Sequence, residues 1–171
     1  MKTHIGKFSV TRAALTLTAV SAMIAIASMT TAETKATVDY PESYRDWTHV
    51  KSMVIQEGNS LYGTFGGVHH IYANDTALAA LKAGRTYPDG SVFVFDLLEA
   101  TTKDNAIIEG KRKVLGVMQK NLKKFATTGG WGFEGFAGDS RDRVVENAAT
   151  ACYVCHTSQK GKNYVFSEYR K

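Results

Sequence analysis

"YPDGSVFVFDLLE", residues 87–99, decides the fold class. Pro88, Asp89 and Gly90 are turn-forming: the proline ring presets φ, and the glycine tolerates left-handed backbone. The run from Val92 to Phe95 is then β-branched and aromatic, and with Leu97 and Leu98 beyond it predicts a strand. Alternate side chains of a strand share a face, so Phe93 and Phe95 point the same way. On the C-terminal side, "KRKVLGVMQK" (111–120) alternates as a second strand, with Val114, Gly116 and Met118 on one face. On the N-terminal side, "TFGGVHHIYA" (64–73) predicts a third strand behind a glycine pair. "NDTALAALKAG" (74–84) predicts a short helix, with Asn74 or Asp75 as its cap and Gly84 as its stop.

Further out, "YPESYRDWTHVKSM" (40–53) reads as a helix opening on Pro41. "NLKKFATTGG" (121–130) reads as a helix closed by glycines, and "WGFEGFAG" (131–138) as an aromatic, Gly-rich strand. "DSRDRVVENAATA" (139–151) reads as a helix running into the cysteines. No repeat or linker interrupts this order, and its turns are too short for parallel crossovers. The expected class is α+β, an antiparallel sheet with short flanking helices.

The start of the chain predicts export. "MKTHIGK" is basic, Ala13 to Met29 is apolar and uncharged, and "MTTA" (29–32) supplies small residues for cleavage after Ala32. That order is the pattern of a secretory signal peptide, residues 1–32, and it directs residues 33–171 to the periplasm as a single domain. The apolar run is short for a span of about 20 residues, and no basic stop follows it. Loss of Lys2, Lys7 and Arg12 with the leader lowers the formal charge from +5 to +2. The remaining basic residues are scattered among acids, so no nucleic-acid partner is expected.

The end of the chain carries the chemistry. "AATACYVCHTSQ" (148–159) holds both cysteines, Cys152 and Cys155, with His156 directly after the second. C-x-x-C-H is the attachment signature of haem c. Two thiols reach the two vinyl groups of one porphyrin, and the adjacent imidazole addresses its iron from one side. A redox pair would follow a strand in a βαβ unit. A disulfide closing so small a loop would stabilise little, and a zinc site would need further ligands. One covalently attached haem is therefore the expected cofactor, with Cys152, Cys155 and His156 binding it and His156 as the metal ligand. Opposite the iron, the candidates are His49, His69, His70 and Met118, with Met118 read as core filling. His69 and His70 are strand neighbours and leave on opposite faces; His69 is the preferred one. Arg141, Arg143, Lys160 and Lys162 are candidates for pairing the propionates, set against a solvated surface role.

On "GGVHHIYAND", "YPDGSVFVFDLLE", "KKFATTGGWGFEGF" and "CYVCHTSQKGKNYVFS" the chain resembles the cytochrome P-460 family, roughly from Tyr40 to Tyr169. The resemblance implies an antiparallel sheet with a haem at one face, a homodimer, and five-coordinate iron with His156 on the proximal side. Hydroxylamine-oxidising members carry a porphyrin-linked lysine, a distal arginine and a proton-relaying carboxylate. These align with Phe95, with a position near His69 and with a position near Gly116, so none of the three residue types is kept. The chain is thus similar to the cytochrome c-prime-beta branch, whose phenylalanine-capped haem binds nitric oxide and carbon monoxide. Phe65, Phe93 and Phe95 are the possible caps.

Three functional readings stay open at this stage. The first is a periplasmic haem protein that takes a small nitrogen species such as nitric oxide. The second is a hydroxylamine-oxidising enzyme with His69 as the catalytic base. The third is a six-coordinate electron-transfer cytochrome. All three leave room for a soluble redox partner.

Overall fold

Strand after strand, each pairs with its sequence neighbour. The computed structural model describes Met1 and residues 37–170. The predicted signal peptide, residues 1–32, lies outside the described residues apart from Met1. β1 (Thr48–Ile55), β2 (Gly67–Ala73), β3 (Val92–Lys103), β4 (Ala106–Lys120) and β5 (Trp131–Ala137) form one five-stranded antiparallel meander in the order β1-β2-β3-β4-β5. With a few short helices this is the expected α+β class. Between β1 and β2 lies α1 (Tyr62–Phe65), and between β2 and β3 lies α2 (Asp75–Ala83).

Helix α2 has the ends its sequence predicts. The Asn74 side chain accepts from the Ala77 amide, and Gly84 closes the helix at φ 61°. That left-handed position costs glycine little. Three other predicted helices are corrected. Residues 40–53 hold only a 3-10 turn at Tyr44–Asp46 and then enter β1. Trp47, Thr48, His49 and Val50 are aromatic or β-branched neighbours, and pairing with β2 outweighs the helix start that Pro41 suggests. In 121–130 only Ala126–Thr128 is helical, again as 3-10. Residues 139–148 carry little regular structure, and Arg143 bridges back to Phe136.

Register sorts the side chains into two faces. On the first, which we call the helix face, Ile71, Phe93, Met118 and Phe133 bury against Ala77, Ala80 and Leu81 of α2, with Tyr87 and Trp131. On the reverse face, Val94, Leu115, Val117 and Phe136 pack against Val38, Tyr44 and Phe125. The reverse face also encloses charge. Asp96 has no solvent exposure. Its carboxylate accepts from Arg112 Nε (2.6 Å) and from the Tyr44 hydroxyl (2.7 Å). Glu134 accepts from Arg143 Nη1 at 2.7 Å on the same side.

Candidate functional site

The C-terminal segment is helical by three geometries in succession: π over Ala149–Tyr153, α over Val154–His156 (α3) and 3-10 over Thr157–Lys162. Cys152 and Cys155, three residues apart on it, stand one helical turn from each other. Both are free thiols; Cys152 is half-buried and Cys155 exposed. Burial, with Glu134 and Cys155 adding to it, pushes the Cys152 thiol up to about 11. Asn163 and Tyr164 then adopt left-handed backbone, at φ 55° and 67°. Non-glycine residues adopt this at a cost of about 1–2 kcal/mol each. Two contacts offset it. The Asn163 carbonyl accepts from Trp131 Nε1 (3.0 Å), and the Tyr164 carbonyl faces His156 Nδ1 (2.7 Å).

That second contact fixes the imidazole. A carbonyl only accepts, so Nδ1 carries the proton and Nε2 keeps a free lone pair. The ring lies between Phe133 and Phe166, with centroids at 4.8 Å and 5.1 Å. Burial among them lowers its pKa and favours the neutral form.

Across the same face, the structure brings Phe65, His69 and Phe95 together. The His69 and Phe95 rings meet edge to face at 4.5 Å, and Phe65 and Phe95 at 5.9 Å. His69 is 1% exposed, and its Nε2 donates to the Phe65 carbonyl at 2.5 Å. Its Nδ1 is buried with no hydrogen-bond partner. Burial lowers the His69 pKa, so the ring is neutral and Nδ1 is an acceptor. Phe93 shares the strand face of Phe95 as expected, yet it turns to Tyr87 and Trp131 (5.3 Å and 6.3 Å). Of the two, only Phe95 belongs to the cluster.

Between Phe95 on β3 and Phe133 on β5 runs a strip without side chains. Phe95 pairs with Gly116, and Gly116 with Gly135. A Cβ on Gly116 would stand 3.3 Å from the Phe95 ring, and one on Gly135 would stand 3.0 Å from Val144. Two strand spacings, about 10 Å, separate the Phe95 and Phe133 strands. Phe95 and Cys152 border one apolar cluster.

The other sequence candidates lie elsewhere. Met118 is buried in the core, 7% exposed. His49 and His70 sit on the reverse face, bonded to Ser52. Arg141 pairs with Glu42, Arg143 with Glu134 and Lys162 with Glu168, so these three already have carboxylate partners. Sequence reasoning missed Tyr164 and the glycine strip. Tyr164 acts through its carbonyl, which leaves no signature in residue type. The strip was legible only as two glycines in separate strands, and pairing alone makes them adjacent.

The residues fit a haem on their own chemistry: two thiols one turn apart, a neutral imidazole with a free lone pair, and an apolar floor. Among the described residues no three His, Cys, Asp or Glu side chains converge on a metal, which leaves zinc without a ligand set. The family profile described as Cytochrome P460 matches residues 41–167. No curated protein matches the chain.

Proposed function

The chain belongs to the cytochrome P460 family, which implies a haem cofactor, and from that premise we propose an exported c-type monohaem protein that receives a small nitrogen species such as nitric oxide. Cys152 and Cys155 would hold the haem as thioethers, and His156 would ligate its iron through Nε2. Bound there, haem would supply a redox-active iron able to take a small ligand. The observation that carries the reading is the His156 ring itself, held by the Tyr164 carbonyl through Nδ1 with Nε2 left free. A histidine ligand whose other nitrogen is fixed by a backbone acceptor has a set tautomer and orientation.

What the remaining residues do supports the open side. Met118 is committed to the core, and His69 Nε2 to the Phe65 carbonyl. His49 and His70 face the other way. Met118, His49 and His70 are thereby withdrawn as sixth ligands, which disfavours the electron-carrier reading; of the four only His69 keeps a free lone pair, on Nδ1. Phe65 and Phe95 would cap the site, exclude water and suit an uncharged diatomic ligand. One observation favours hydroxylamine as the alternative. The unpartnered Nδ1 of His69 would accept from an N–H or O–H donor, which nitric oxide lacks.

The test is spectroscopic. The ferrous protein should be high-spin and five-coordinate, and its pigment should survive acid–organic extraction. A low-spin six-coordinate spectrum would return the electron carrier, and extractable haem would remove the thioethers. Phe95→Ala should change the nitric oxide and carbon monoxide association rates by about tenfold, about 1.4 kcal/mol of barrier. Unchanged rates would place Phe95 away from the iron.

A further inference from the structure

We propose that the reverse face carries a second, hydrolytic site in which Ser52 is the nucleophile, His70 its base, Glu109 the carboxylate that orients the base, and His49 a donor to the developing oxyanion. It is independent of the haem reading. Its substrate class is a carboxylic ester with a short acyl group.

The distances are those of a nucleophile, base and orienter in contact. Ser52 Oγ lies 2.7 Å from His70 Nδ1, and His70 Nε2 lies 2.5 Å from Glu109 Oε1. His49 Nε2 lies 2.9 Å from the same Ser52 oxygen. One proton arrangement satisfies all three contacts with neutral rings and an ionised glutamate. Glu109 only accepts, so His70 Nε2 carries the proton and Nδ1 is the acceptor. Ser52 therefore donates to His70, and the Ser52 oxygen accepts from His49 Nε2–H. The hydroxyl proton already points at a base, and a second donor already points at the oxygen.

Local backbone irregularities assemble the four side chains. Ser52 and His70 are direct cross-strand partners on β1 and β2. The bulge between His49 and Lys51 sets His49 opposite Tyr72. Regular pairing would have turned His49 to the other face, and the bulge turns it toward Ser52. On β4, Leu98 faces Arg112 while Ala100 faces Glu109, so a second bulge falls between them. Gly110 stands inside it, where a Cβ would come 2.8 Å from the Glu99 Cβ. A further irregularity between Leu97 and Leu98, where the β4 partner steps from Val114 to Arg112, offsets it, so Glu109 keeps the face of His70 and Asp96.

An acyl group has somewhere to go. A shallow pocket of about 160 Å³ is lined by Val54, Tyr62, Ala100, Thr102 and Ile107, among others. Val54 is two residues beyond Ser52 on the same strand, and Ile107 is two residues before Glu109. Both therefore share the face of the cluster, about 7 Å along their strands. Val54 and Ile107 are exposed apolar side chains, 39% and 44% accessible.

The step balances within these residues. Ser52 Oγ bonds to the ester carbonyl carbon as its proton passes to His70 Nδ1, and Glu109 holds the imidazolium. His49 Nε2–H donates to the carbonyl oxygen as it gains charge. The carbon–oxygen bond to the alcohol then breaks, and the alcohol leaves with the proton from His70. Water, deprotonated by His70, attacks the acyl-serine and releases the acid, restoring Ser52. No oxidant or reductant enters.

The test is covalent labelling of the full chain as isolated, with a small alkyl fluorophosphonate read by intact mass and peptide mapping. One adduct at Ser52 is expected, and none in Ser52→Ala, whose side chain is exposed. His70→Asn should slow labelling at Ser52 about 100-fold or more, and Glu109→Gln should slow it by less. A stoichiometric release of acid from a short aryl ester, lost in Ser52→Ala, would complete the assignment. No adduct at Ser52, or labelling that is the same in His70→Asn, overturns the proposal. The haem spectrum of each variant should match that of the parent, which separates this site from the one on the helix face.

Discussion

On the reverse face the sheet encloses full charges, Asp96 against Arg112 and Glu134 against Arg143, each in hydrogen-bonding contact. On the helix face the polar groups of the candidate site are imidazoles whose pKa values are lowered by burial, and the buried Lys120 lies against Trp131 with its ammonium donating to the Gly129 carbonyl instead of to a carboxylate. The difference follows from what each side must enclose. A charge removed from water needs a partner in fixed geometry, and the reverse face supplies one from within the chain. A face prepared for an apolar ring system would leave any permanent charge facing that ring without water or partner. Neutral nitrogens avoid the penalty and keep lone pairs available.

The contrast can be broken from either side. Arg112→Ala leaves Asp96 enclosed with the Tyr44 hydroxyl and, at 3.7 Å, the half-exposed Arg45 guanidinium, and should cost about 3 kcal/mol in urea unfolding. Adding Asp96→Asn should recover part of that loss, because the enclosed charge that Arg45 alone compensates is then gone. Recovery is the signature of an electrostatic defect rather than a packing one. Phe133→Ala on the helix face should cost about 3 kcal/mol, with no such rescue by a charge change. The lower end of the range applies because Phe133 borders the half-buried His156 ring, which can settle into the gap.

The smallest effect is on pH dependence. The unfolded His69 titrates near 6.5, and burial lowers its folded value. The unfolded chain therefore binds more protons in the window below about 6.5. Stability present above that pH is lost as pH falls toward the folded value. The urea midpoint should drop between about pH 7 and pH 5, and His69→Gln should flatten the slope in part. An unchanged slope would mean that His69 takes up protons equally in the folded and unfolded chain, with no lowering by burial.

Much of this was legible in the residues. Turn chemistry at Pro88 to Gly90 and the alternation of 91–99 placed β3, and α2 was placed by Asn74 and Gly84. Cys152, Cys155 and His156 were singled out by spacing alone. The misread stretches share a cause. In 40–53 a helix start competes with aromatic and β-branched residues, and only the availability of β2 as a partner decides the outcome. In 139–151 the residues allow a helix, but Arg143 is drawn into contact with Glu134 and Phe136.

By itself, then, the sequence determined the local elements, the alternating faces of each strand and the thiol pair with its histidine, because these depend on neighbours within a few residues. The tertiary structure alone decided that Phe95 joins Phe65 and His69 while Phe93 does not. It also decided that Gly116 and Gly135 lie side by side, and that Ser52 meets His70 and Glu109. These meetings depend on strand register and on three register irregularities, one between β1 and β2 and two between β3 and β4, and a shift of one residue in any of them would turn the side chains to the opposite face.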